Sequence, residues 1–335
     1  MAPQLGLLLV LLVAPAAGLL HSERLCLNLL VQRAVQTQMH YLSDLRNDFT
    51  SSWLNSFSEE HHGVHRLMHK NSARMLHFHD AMGDGTTWDD YLTSMVSAPD
   101  ETHTVEVKLG CRRQGSRDNP FLQPASSTRT YQSTVRPAHL YRQIVQIRER
   151  LAEEWTNDLP LIGLDNDELR RHHREEVKNV VDEQERFVYA IRPLQYDDAS
   201  GEFSSPLRQS TFDLLKNAVT DVALQQLIDE EARSGSPQQC EWIKGFTSRS
   251  AQALRAPAEQ WNVAREVMRT LMTQPPSIAT GPDGSTCLLD PLALSERLLE
   301  LRLEVASEWA QLMPRVPDDH LQLARARLEL SIADE

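Results

Sequence analysis

Residues 137–160 read PAHLYRQIVQIRERLAEEWTNDLP, and residues 291–314 read PLALSERLLELRLEVASEWAQLMP. Aligned without a gap, seven positions coincide: Pro137/Pro291, Leu140/Leu294, Arg148/Arg302, Ala152/Ala306, Glu154/Glu308, Trp155/Trp309 and Pro160/Pro314. Most mismatches on the apolar stripe keep their character, as in Ile144/Leu298, Ile147/Leu301 and Leu151/Val305. Apolar residues recurring every three and four positions form one face of a helix. A proline at the first helical position is favoured, because its missing N–H would be unpaired there anyway. Leucine matches between amphipathic helices carry little weight, whereas the Trp pair and the two flanking Pro pairs carry more. The 154-residue spacing is too long for a TPR or HEAT period. It fits two lobes, or one large helical bundle with pseudo-symmetry.

The rest of the chain agrees with a mainly α, multi-helix array containing two similar Trp-bearing helices and a small β-hairpin near 104–135. Residues 22–57 read as one long helix, and Ser58 with Glu59 and Glu60 caps a second through about Met82. Thr87 caps a short helix from Trp88 to Val96. Residues 97–136 are punctuated by Pro and Gly, and two runs, Thr104–Leu109 and Thr128–Val135, alternate as strands do. They pair as a hairpin or run as an extended linker. From Pro137 onward helices are expected at 137–159, 166–191, 206–233, 238–254, 257–273, 291–313 and 318–332. The organisation is then a leader at 1–18, a helical region at 19–96, a linker with the hairpin at 97–136 and a helical region carrying the first Trp helix at 137–273. A linker at 274–290 and a helical region carrying the second Trp helix at 291–335 complete it.

A chain of 335 residues can bury a large core, and 41% hydrophobic with 24% charged residues is a globular composition. The formal charge of −13 repels phosphate backbones and argues against nucleic acid as a general partner. Residues 5–20, LGLLLVLLVAPAAGLL, resemble the apolar core of a secretory signal followed by small residues, with cleavage near Ala17 or Gly18. The run is short for a membrane span and Pro15 interrupts it, so no spanning segment is expected after removal. Delivery is expected to the secretory pathway or the extracellular space. The alternatives are a plastid reached by a two-step route and a membrane-anchored form that keeps the segment. Cys26, Cys111, Cys240 and Cys287 show no Cys-x-x-Cys spacing; in an oxidising compartment they could form two bridges, in three connectivities, and four free thiols are the favoured alternative.

Arg148 and Glu154 flank the apolar stripe six residues apart, too far round a helix to pair with one another, and Arg302 and Glu308 repeat this. Charges that cannot pair within their helix bond a neighbouring helix, a backbone end or another protein, or lie solvated beside the core, snorkelling past Leu and Trp. The last is the expectation. Arg148, Glu154, Trp155, Arg302, Glu308 and Trp309 therefore form the candidate set for core packing or partner binding. His61, His65 and His69 follow i, i+4, i+8 on the expected second helix, where an i, i+4 histidine pair can hold zinc. No phosphate loop, EF-hand, nucleophile elbow or His-Glu-x-x-His motif occurs, and GPDGST at 281–286 reads as a turn-rich connector. These patterns favour a non-catalytic helical interaction or assembly protein with a protein partner. The competing readings are a metal or ligand binder on the 61–69 histidine face and an enzyme with its site between two lobes.

Overall fold

The structure, a computed structural model, describes residues 13–62, 68–69, 72–75, 87–108, 128–178, 205–234, 237–255, 263–280 and 286–333. It is mainly helical. The first half contains α1 (Val13–Asp44), α2 (Asp48–His62), strands β1 (Met68–His69) and β2 (Ser72–Met75), and α3 (Trp88–Ser97). Strands β3 (Glu101–Lys108) and β4 (Thr128–Val135), then α4 (Pro137–Asp158) and α5 (Ile162–Lys178), complete it. The second half contains α6 (Arg208–Ser234), α7 (Pro237–Arg255), α8 (Val263–Thr273), strands β5 (Ser277–Thr280) and β6 (Thr286–Leu289), α9 (Pro291–Leu312) and α10 (Val316–Ala333). Single 3-10 turns at 159–161 and 313–315 link α4 to α5 and α9 to α10.

Apart from β1 and β2, the order of elements in the first half recurs in the second, and the similarity extends to side chains. Asn28 on α1 accepts the Trp88 N–H at the start of α3, at 2.9 Å. Asn217 on α6 accepts the Ala264 N–H at the start of α8, at 3.0 Å. Each amide oxygen thus satisfies one of the N–H groups that a helix start leaves open. The 189 residues between these two asparagines also separate Trp53, Leu54 and Phe57 on α2 from Trp242, Ile243 and Phe246 on α7. Trp53 stacks on Phe57 at 5.1 Å and 19°, and Trp242 on Phe246 at 5.8 Å and 10°. The buried positions of α3 (Tyr91, Leu92, Met95, Val96) reappear in α8 as Val267, Met268, Leu271 and Met272.

The two hairpins align as well. In β3–β4 Glu101 faces Val135 and Thr102 faces Thr134; in β5–β6 Ser277 faces Leu289 and Ile278 faces Leu288. The inner ends, Val135 and Leu289, are buried next to the prolines that open α4 and α9. Those prolines occupy N1 or N2, and Asp290 also caps α9 by accepting the Leu292 and Ala293 N–H groups. The first hairpin packs against α2 and the second against α7.

Several expectations change. The 22–57 helix is two helices, broken where Arg46 takes a left-handed conformation at φ 52°. Arg46 N–H bonds the Ser43 carbonyl and Asn47 N–H bonds Leu42, the double closure of a Schellman turn. The second helix does not run from Ser58 to Met82: α2 starts at Asp48 and ends at His62, and β1 and β2 pair antiparallel beyond it. Residues 63–67 lie outside the described set. The 274–290 connector is the β5–β6 hairpin, so GPDGST follows a strand. The hairpin near 104–135 forms, and Thr87 caps α3 in a reciprocal box with Asp90. The helix expected at 166–191 is α5, beginning four residues earlier at Ile162; residues 179–191 lie outside the described set. The one expected at 257–273 is α8, Val263–Thr273; residues 257–262 lie outside the described set.

Two apolar clusters make the core. One joins α1–α4 with the first part of α6 and the end of α9; the other joins α5, the rest of α6, α7, α8 and the start of α9. The last helix of each half leaves its own cluster. α5 packs on α8 and α9, and α10 packs on α4. The halves thus hold one another by exchanged arms. No helix among the described residues is long and apolar enough to cross a membrane. Cys26, Cys240 and Cys287 are free thiols, with the first two buried; Cys111 lies outside the described residues.

Candidate functional site

The exchanged arms meet the Trp helices at two buried braces. On the second Trp helix, Arg302 donates Nη1 to Asn166 Oδ1 at 2.5 Å and Nη2 to Asp165 Oδ2 at 2.9 Å, both on α5. Asn166 passes its own amide hydrogens to the Leu299 carbonyl at 2.9 Å. Arg265 of α8 adds contacts to Asp165 at 3.3 Å and Glu168 at 2.6 Å. Burial acts to raise the Asp165 carboxyl, but Arg302, with Lys216 and Arg265, holds it below its ordinary value.

On the first Trp helix, Arg148 reaches α10. Its Nη1 bonds His320 Nε2 at 2.6 Å and its Nη2 lies 3.5 Å from Asp319. A guanidinium only donates, so Nε2 accepts and the imidazole carries its proton on Nδ1. That N–H donates to Glu149 Oε1 at 2.9 Å. The guanidinium also stacks over the Trp88 ring, 4.1 Å from its centre. Burial pulls Arg148 down to about 10, with Asp319 opposing. Burial likewise raises the Asp319 carboxyl and lowers the His320 imidazole, and the adjacent Arg148 cation lowers the latter further. Asp165 and Asn166 stand to α4 as Asp319 and His320 stand to α9, at the same 154-residue spacing.

The sequence-derived residues fall mostly inside. Arg148, Arg302, Trp155 and Trp309 each have 0% exposure, so the expectation of solvated, snorkelling arginines is overturned. The cause is the partner helix: a carboxylate and a second acceptor await each guanidinium, and a buried charge is tolerated only when so paired. Trp309 donates Nε1 to Ser22 Oγ at 2.9 Å. Thr211 stands where Ser22 does, at the 189-residue spacing, but it is engaged by Arg33 Nε at 2.8 Å. Trp155 Nε1 finds no acceptor among the described residues.

Glu154 is also buried and accepts the Ser205 N–H at 2.6 Å through Oε1, a backbone end rather than a side chain. Burial raises its carboxyl, the Ser205 bonds opposing. Close by, Arg208 bonds Asp158 at 3.0 Å, and Arg33, which Glu154 helps keep charged, is drawn by burial to about 9. Glu308, in contrast, is half-buried; burial and then Glu304 raise its carboxyl. The structure therefore brings Arg148 and Arg302 into matching braces and separates the roles of the two glutamates.

The histidine face is not assembled as a helix. His61 lies in the last turn of α2, His69 lies on β1, and His65 is outside the described residues. Among the described residues no group of three His, Cys, Asp or Glu side chains is placed to hold a metal ion. The residues that sequence reasoning missed are Asp165, Asn166, Asp319 and His320. Their signal was present: the alignment of the two Trp helices continues past Pro160 and Pro314 to Asp165 and Asp319.

On the surface the halves diverge. Thr102 and Thr134 are exposed and share a hydroxyl contact of 3.2 Å. Their counterparts Ile278 and Leu288, directly opposed across β5 and β6, are 72% and 67% exposed. Comparison of the chain with family models, curated proteins and solved structures finds no match.

Proposed function

We propose that this chain is a non-catalytic helical interaction or assembly protein of the secretory route, built by doubling one helical unit. The observation that carries this reading is the Ile278–Leu288 pair. Two large aliphatic side chains sit side by side on a hairpin whose other-half equivalent presents two threonines. Covering such side chains yields roughly 1.5–3 kcal/mol each before the costs of association. The buried Arg148, Arg302 and Glu154 are engaged in holding helices together, which fits a scaffold whose contact chemistry lies outside. The secretory assignment rests on residues 5–20. Cleavage near Gly18 keeps Ser22, the acceptor of Trp309.

The double variant Ile278→Thr/Leu288→Thr recreates the first hairpin's surface on the second. Wild-type and variant chains would be captured by a tag from native cells, and the N-terminus of the mature chain sequenced. A stoichiometric protein recovered with the wild type and lost with the variant supports the reading. Identical recovery with both chains removes the hairpin as the contact, and an intact Met1 removes the secretory premise.

A further inference from the structure

One difference between the two braces changes the kind of acceptor: where the Arg302 brace uses Asn166, the Arg148 brace uses His320. An amide oxygen accepts at any ordinary pH. An imidazole nitrogen accepts only while it is unprotonated. His320 Nε2 takes its hydrogen bond from a cation 2.6 Å away, so a proton arriving there deletes the acceptor and sets two cations against each other.

We propose that the His320 brace is an acid-sensitive latch, which holds α10 on α4 at neutral pH and releases it on acidification, while the Asn166 brace keeps α5 seated. The charged and titratable groups around the latch are Arg148 and Glu149 from α4, Glu23 and Cys26 from α1, and Asp319 beside His320 itself. Glu149 continues to accept from Nδ1 in either state, so it does not restore the lost bond to Arg148. Asp319 contacts Arg148 only at 3.5 Å and with a quarter of its side chain exposed, a weak substitute.

The sign follows from linkage. The folded latch disfavours the protonated imidazole, whereas a released His320 titrates near its ordinary value of about 6.5. The closed state is at full strength above that value and weakens as pH falls below it. The opening equilibrium gains at most about tenfold per pH unit, one proton's worth. The latch is independent of the hairpin contact proposed above.

Hydrogen exchange of the full-length protein at about pH 7.5 and about pH 5.5, corrected for intrinsic rates, reads both braces in one molecule. The expected result is a several-fold loss of protection, up to about tenfold, at 316–324 with little change at 162–170. His172 lies further along α5, partly exposed against Glu168, outside the compared segment. In His320→Asn, which gives the second brace the acceptor of the first, the difference between the segments should vanish. An equal change in both segments, or a difference that persists in His320→Asn, overturns the latch. Should His320→Asn fail to fold, Asn166→His serves instead. It should bring acid sensitivity to 162–170, and its failure to do so is equally decisive.

Discussion

The Arg302 brace and the Arg148 brace occupy equivalent places, and they differ in how completely the guanidinium is compensated. Arg302 meets a carboxylate with 1% side-chain exposure at 2.9 Å and an amide that is itself satisfied by a backbone carbonyl. Arg148 meets an imidazole, a longer contact to a quarter-exposed Asp319, and an indole face. Asp165 is held below its ordinary value, while Asp319 is pushed above it and Arg148 is drawn down. The two braces thus share the arginine and differ in the partners that compensate it, each cation retaining acceptors. The Arg148 brace has the longer and more exposed carboxylate contact.

The sharpest test of that difference is truncation. Arg302→Ala leaves the buried Asp165 carboxylate only its 3.3 Å contact to Arg265 and should cost about 3–5 kcal/mol in denaturant unfolding. Arg148→Ala leaves an Asp319 that water reaches, and its cost should be clearly smaller. Equal costs would show that the braces are energetically alike despite their geometry. Next in size come the tryptophans. Both rings are buried, so replacement by alanine should cost about 3–5 kcal/mol in either half. Replacement by phenylalanine should separate them. Trp309→Phe loses the bond to Ser22 and should cost about 1 kcal/mol more than Trp155→Phe, whose indole N–H has no acceptor among the described residues. The reverse order in thermal melting would break this distinction. The smallest effect should come from the matched caps: Asn28→Ala and Asn217→Ala should each cost roughly 0.5–2 kcal/mol, and by similar amounts. A large inequality would mean that one cap alone matters.

Much of this was legible in the chain. The Trp helices, their proline starts and the first hairpin follow from periodicity and punctuation. The full extent of the likeness did not emerge, because residues are spaced 189 apart in α1–α2 and α6–α7 but 154 apart at the Trp helices. An ungapped comparison therefore loses WLNSF at 53–57 against WIKGF at 242–246. Each β5–β6 strand spans only four residues, too few to establish alternation against a Gly/Pro background. The buried arginines escaped because helix position sets only which face a side chain leaves from. Whether water or a carboxylate waits there is decided by the arm of the other half, and a single amphipathic helix carries no record of it.

The exchanged arms also set a timetable. Arg148 and His320 are 172 residues apart, and Arg302 and Asp165 are 137 apart. At a synthesis rate of about 5–20 residues per second, residue 148 precedes residue 320 by roughly 10–30 s. Until α10 is made, the nascent first half holds an arginine whose partner helix does not yet exist, and until α8 and α9 are made its arm, α5, has no seat. Neither brace can therefore close from the residues of one half alone.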